Sequence, residues 1–286
     1  MGVISAVLRD IVGSRKTTDA KAHVDAARLY IDLLKRCVSN SIYDDDLDLM
    51  RGTGATDPTT GRLVAVESQQ ADRTRKYYGG VWPSRAHTMV GLPRLDNLHF
   101  CVETLLADEV PGDLVETGVW RGGASIFMRG VLKAYGVTDR KVWVCDSFEG
   151  LPPSDRERYP KETETDFSVY QDLAVSLETV QANFARYDLL DDQVCFLKGW
   201  FRDTLPTAPI ETLALMRLDG DLYESTMDAL TALWPKLSPG GFVIIDDFNA
   251  LQCCNDAVDD FRRAENIASP IEMIPGWGAF WRKDAR

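Results

Sequence analysis

Asp113-Leu114-Val115-Glu116-Thr117-Gly118-Val119-Trp120-Arg121-Gly122-Gly123 runs an apolar strand into a glycine-rich turn, and helical spacing begins at once with Ala124. A strand that turns over glycines into a helix opens an α/β sheet, and open parallel sheets bind ligands at this carboxyl edge. The glycines allow close backbone approach, while the N–H groups of the helix start suit a carboxylate. The GxxxGG spacing departs from the dinucleotide GxGxxG, which disfavours a nicotinamide cofactor. Taken alone, the turn is also what a purely structural glycine turn would show.

Outward from this stretch the alternation of strand and helix signals continues. Strands are predicted at Asp113–Glu116, Lys141–Cys145, Val194–Leu197, Leu213–Leu218 and Gly241–Ile245, with helices near Ala124–Tyr135, Leu177–Tyr187, Thr226–Leu237 and Asn255–Glu265. Ile271–Ile274 and Ala279–Trp281, around Pro275-Gly276, read as a closing antiparallel pair. Residues 91–286 therefore form the expected main domain and 1–90 an N-terminal helical segment and lid. A helix is expected over about 18–40 from Ala22, Ala26, Leu29, Leu33 and Leu34. A long polar loop with Gly52, Gly54, Pro58 and Gly61 follows. Tyr77-Tyr78-Gly79-Gly80-Val81-Trp82-Pro83 then offers aromatic groups between flexible hinges, as closure over a ligand would need.

Composition narrows the function. The 286 residues, 45% hydrophobic, can bury one large core. A net charge of -12 and a pI near 4.8 oppose nucleic-acid binding, which needs clustered Lys and Arg. No apolar run reaches about 18 residues, and the apolar Met1 to Leu8 is followed directly by Arg9 and Asp10, so the expected location is cytoplasmic. Cys37, Cys101, Cys145, Cys195, Cys253 and Cys254 contain no CxxC pair and read as reduced core thiols. Among the histidines, His23 and His99 fall on helical segments; His87, in the lid, is the one with a functional place.

The chemistry concentrates at strand ends. Asp146 ends the second strand 30 residues after Glu116, where a carboxylate can accept both hydroxyl hydrogens of a ribose. After the third strand, Gly199-Trp200-Phe201 can admit and wall a flat ring, although the aromatics could equally cover the sheet edge. The fourth strand ends in Asp219-Gly220-Asp221 and the fifth in Asp246-Asp247. Their spacing of 27 residues is one helix plus one strand, so these carboxylates share one rim. Such like charges repel unless a cation joins them. An all-oxygen set suits Mg²⁺, with Mn²⁺ acceptable, and the lack of nearby Cys or His disfavours zinc.

These motifs, with Asp146-Ser147-Phe148-Glu149-Gly150-Leu151-Pro152, Thr204-Leu205-Pro206 and Asp219 through Thr226, resemble the macrocin O-methyltransferase family from about Ala26 to the C-terminus. That family methylates sugar hydroxyls on antibiotics. The resemblance implies a class I methyltransferase fold, α/β and Rossmann-like, with a seven-stranded sheet in the order 3-2-1-4-5-7-6 and an antiparallel last strand. It implies that S-adenosylmethionine meets Glu116, Gly118, Arg121, Gly122, Gly123 and Ser125 with its methionine part. Asp146, Ser147 and Phe148 would serve the ribose side. Trp200, Phe201 and Ser176 would approach the adenine, Asp219 would border the cofactor, and Thr88 and Met89 would close over it. The implied metal ligands are Asp219, Asp246 and Asp247, and the implied general base is Asp221. Tyr43, Asp44, Tyr78 and Asp221 would contact a small glycoside acceptor, and the family tends toward homo-oligomers. Two rivals remain: a glycosyltransferase reading Asp219-Gly220-Asp221 as a metal-binding DxD pattern, and a non-catalytic cofactor-binding module.

Overall fold

The computed structural model describes residues 26–49 and 70–284. Seven strands form one mixed sheet: β1 (Asp113–Thr117), β2 (Val142–Asp146), β3 (Val194–Lys198), β4 (Leu213–Leu218), β5 (Leu237–Ile245), β6 (Glu272–Met273) and β7 (Ala279–Arg282). Their order is β3-β2-β1-β4-β5-β7-β6, with β7 antiparallel to β5, as the sequence predicts. The central strands read as continuous apolar runs because helices cover both faces.

One layer holds α1 (residues 26–38), α2 (Arg73–Tyr77), α3 (Gly91–Ala107), α4 (Gly123–Ala134) and α5 (Leu177–Arg186). Leu98, Phe127 and Phe184 pack there against Leu114, Val144 and Leu215 of the sheet. The other layer holds α6 (Phe201–Thr204), α7 (Tyr223–Leu233) and α8 (Gln252–Ala264), whose Leu230 and Phe261 meet Val115, Met216 and Trp281. Successive strand residues thus alternate between two cores, as period-2 geometry requires.

Several expectations change. The buried stripe of α1 is Ala27, Ile31, Leu34 and Val38, whereas Leu29 and Leu33 are exposed; the i, i+4, i+7, i+11 spacing fits the sheet-facing side better than the predicted set. Ala22, His23, Gly52, Gly54, Pro58 and Gly61 lie outside the described residues. α3 is a long helix that the pattern did not mark as an element, although His99 does lie on it. α7 and α8 each begin three residues earlier than predicted, and β5 begins at Leu237, carrying Ser238-Pro239-Gly240 into the strand. All six cysteines are free thiols. No described helix is long and apolar enough to cross a membrane.

Register levels the functional edge. Thr117 pairs with Cys145 and with Leu218, and Leu218 with Ile245. The next residues continue the ladder: the N–H of Asp219 donates to Thr117 O at 2.8 Å, and that of Asp246 to Leu218 O at 2.9 Å. Asp146, Asp219 and Asp246 therefore stand on one rim because strand pairing puts them there.

Candidate active site

A cavity of about 340 Å³ opens over this rim, within the range that takes a small molecule. Glu116, Gly118, Asp146, Ser147, Trp200 and Phe201 are in its wall. Gly118 adopts φ +81°, and a Cβ there would overlap the carbonyl oxygen of Asp219, so the two strand ends approach as closely as backbone permits. Asp146 accepts the N–H of Val119 at 2.7 Å and of Phe148 at 2.7 Å, which fastens the end of β2 to the glycine turn. Burial pushes its pKa up against the N–H groups of Val119, Phe148 and Trp120 and the Ser147 hydroxyl.

In the same wall, Asp219, Asp221 and Asp247 each bring one carboxylate oxygen within 4.8 Å of the others. Asp221 has a left-handed backbone, φ +58°, in the turn between β4 and α7, and its N–H donates to Asp247 Oδ2 at 3.0 Å. Lost hydration, Asp219 and Asp246 push its pKa up to about 8; that of Asp219 rises to about 6, first through burial and then through Asp246. Hard oxygen donors at this spacing are what Mg²⁺ takes, and a divalent cation would relieve the repulsion.

The acidic set differs from the sequence expectation in one member. Asp246 turns from the cluster because guanidinium groups engage both its oxygens, Arg94 at Oδ2 and Arg217 at Oδ1. Arg217 also donates to Glu116 Oε1 at 2.5 Å and Asp219 Oδ2 at 2.9 Å. It is the register partner of Glu116, and period 2 puts Asp219 on the same face. One buried guanidinium thus joins β1, β4 and β5, and against the pull of burial its carboxylates together hold its pKa well above the usual range. Glu116 accepts the hydroxyl of Ser125 as well; burial lifts its pKa to about 7 despite Arg217 and Ser125.

Other predicted residues serve one layer further out. Arg121 is not on the cavity surface: its guanidinium donates to the carbonyls of Pro83 at 2.9 Å, Ser84 at 3.1 Å and Ala86 at 2.9 Å. It clasps the 83–88 strap, which carries Thr88 and Met89 into the cavity wall. Gly122 starts α4 beneath Val180, and the N–H of Gly123 donates to His87 O at 2.9 Å. Phe148 is buried and packs near Phe196. Ser176 is an exposed cap of α5. His87 turns to Tyr187, with Nδ1 2.7 Å from the hydroxyl, and lies outside the cavity.

Three predicted acceptor contacts also fall elsewhere. Tyr43 is 80% exposed, Asp44 pairs with Arg73 and Lys76, and Tyr78 lines a separate groove with Phe100 and Met273. Trp82, Phe167, Leu173, Leu251 and Trp277 also line the cavity; of these the sequence reading had singled out only Trp82, in the aromatic stretch before the strap. A charge within the apolar strand Leu213–Leu218 could have flagged Arg217; α3 carries no comparable signal for Arg94.

A family model described as macrocin-O-methyltransferase (TylF) matches residues 27–283. The chain belongs to the macrocin O-methyltransferase family. It is 56% identical over 262 residues, 91% of this chain and 95% of the relative, to an 8-demethyl-8-(2,3-dimethoxy-alpha-L-rhamnosyl)-tetracenomycin-C 4'-O-methyltransferase of Streptomyces olivaceus. It is 50% identical to the mycinamicin III 3''-O-methyltransferase of Micromonospora griseorubida, over 90% of this chain and 97% of the relative. The solved O-methyltransferase NovP superposes with a TM-score of 0.79 at 45% identity, over 90% of this chain and 99% of NovP. As a member of this family the protein is an O-methyltransferase dependent on S-adenosylmethionine. Asp219-Gly220-Asp221 is therefore part of a methyltransferase rim, not the DxD of a glycosyltransferase, and the non-catalytic module is set aside.

Proposed function

We propose that the protein methylates a hydroxyl on a deoxysugar of a glycosylated natural product of the antibiotic class, with Mg²⁺ held at the acidic rim. The observation that carries this reading is the close approach of Asp219, Asp221 and Asp247 in the wall of a cavity that Glu116, Asp146, Trp200 and Phe201 also line. The relatives named above act on glycosylated tetracenomycin and mycinamicin, which supports the acceptor class.

Methyl transfer from a sulfonium is an in-line displacement, so most of the protein's task is alignment. Glu116 would hold the methionine ammonium, Asp146 the ribose hydroxyls, and Trp200 with Phe201 the adenine. Asp219 and Asp247, joined by Asp246, would hold the cation. When bound, Mg²⁺ would orient the sugar hydroxyl and lower its pKa. Asp221, left outside the ligand set, would accept the hydroxyl proton. The cations lining the cavity, Arg94 and Arg202, are both paired, with Asp246 and with Glu224. Trp82, Phe167, Leu173, Leu251 and Trp277 add apolar surface to the same cavity, which suits a glycosylated natural product.

The test is methyl transfer to a panel of glycosides before and after chelation. Turnover should vanish with EDTA and return with Mg²⁺ or Mn²⁺, and Asp221→Asn should lower kcat by about 10²- to 10⁴-fold while Mg²⁺ still binds. Full turnover in metal-stripped protein would remove the metal from the reaction.

A further inference from the structure

Arg94 sits in a slot built for a guanidinium. A Cβ at Gly79, φ +80°, would overlap Arg94 Nη2, so a glycine is what leaves the space. Nε donates to Val90 O at 2.5 Å, and the group lies 4.7 Å from the ring of Trp277. Nη1 reaches Asp246, whose other oxygen belongs to Arg217. Arg217 is fixed from within the sheet by Glu116 and Asp219 as well, whereas the remaining partners of Arg94, a carbonyl and an aromatic face, do not depend on Asp246.

We propose that Arg94 is a displaceable counter-ion: it neutralises Asp246 in the metal-free protein and gives that carboxylate up when a divalent cation enters the acidic cluster. The inference rests on the metal-dependent reading above. A guanidinium and a divalent cation on one carboxylate repel each other strongly at such range, so they compete for Asp246. The carbonyl of Val90 and the face of Trp277 can hold the withdrawn group, since an aromatic face attracts a cation. Arg94 is thus a positioning residue: it sets the ligand count of the metal site and keeps the empty cluster from carrying its full repulsion.

The test is calorimetric titration of metal-stripped protein with MgCl₂, with tryptophan emission followed in parallel. Arg94→Met removes the competitor and should bind Mg²⁺ roughly tenfold more tightly, a direction that loss of a merely structural residue would not produce. In the unsubstituted protein Mg²⁺ should change the emission, and Trp277→Phe should abolish that change. Equal or weaker Mg²⁺ binding by Arg94→Met overturns the proposal. Should that variant not fold, the emission arm decides: Mg²⁺ uptake without a Trp277-dependent change refutes the displacement. An unsubstituted protein that takes up no Mg²⁺ instead defeats the metal-dependent reading itself.

Discussion

The two sides of the cavity are built by different means. On the sheet side, side chains meet the ligand space because strand register leaves them no other place: Glu116 lies beside Arg217, and Asp219 and Asp246 follow one step past the paired residues. On the strap side, residues 83–88 are held through their backbone, by Arg121 on three carbonyls and by the Gly123 N–H on a fourth. The first arrangement ties the cavity to the stability of the core. The second can open without it, which is how ligand-binding segments come to lie at the low-stability end of a structure.

The sharpest way to break this contrast is at Arg217. It faces Glu116, Asp219 and Asp246 from full burial, so Arg217→Met would leave buried carboxylates uncompensated. Removing one partner of a buried ion network costs about 3–5 kcal/mol. For a chain of this size that lowers the melting temperature on the order of 10 °C. A melting curve that does not move would show that strand pairing alone holds the rim.

On the strap side the effect should be local. Arg121→Met should speed amide exchange across residues 83–90 and weaken S-adenosylhomocysteine binding roughly tenfold, consistent with about 1.5 kcal/mol for hydrogen bonds from a charged donor. Protection in β1, β4 and β5 should stay as it was. Faster exchange in those strands, or none in the strap, would erase the distinction between the two sides.

The same contrast explains what the sequence could say. Alternating strand and helix signals give a mostly parallel α/β sheet, the family resemblance adds its strand order, and the residue after each predicted strand gives Asp146, Asp219 and Asp246, since period 2 and chain direction fix that edge. The division of labour among the acids does not follow. Whether Asp246 faces a cation site or two guanidinium groups depends on Arg94, 152 residues away on a helix whose burial pattern resembles any other. Asp221 joins the cluster through a left-handed backbone that no neighbouring residue type announces. Arg121 looked like a cofactor contact because it lies in the glycine turn, yet it spends its donors on carbonyls, which every residue possesses. The apolar stripe of α1 was open to misreading for a related reason: Leu34 has helical spacing both with Ala26, Leu29 and Leu33 and with Ala27, Ile31 and Val38, and only packing against other elements, such as Leu34 beside Gly130 of α4, buries the second set.

The smallest effect lies at the join between strap and core, and it is set by pH. His87 is half-buried against Tyr187, and burial, followed by the nearby Arg186 and Arg121, pushes its pKa from 6.5 down to about 4. The unfolded chain therefore binds the extra proton first as pH falls. The stability gained from holding this ring neutral is fully present above pH 6.5 and is lost between 6.5 and about 4. A shift of this size would correspond to about 3 kcal/mol for a fully enclosed ring, and solvent at the half-open side reduces it to about 1 kcal/mol. Carboxylates titrate in the same range, Asp228 among them with a value raised to about 6, so the quantity to measure is the difference between the unsubstituted protein and His87→Gln. Urea unfolding at pH 7.5 to 4.5 should show the unsubstituted protein losing about 1 kcal/mol more than His87→Gln on acidification. Parallel curves would mean that His87 is not what makes the strap acid-sensitive. Tyr187→Phe should lower stability by about 1 kcal/mol at every pH in that range, because it removes the hydrogen bond while leaving the burial that depresses the ring's pKa.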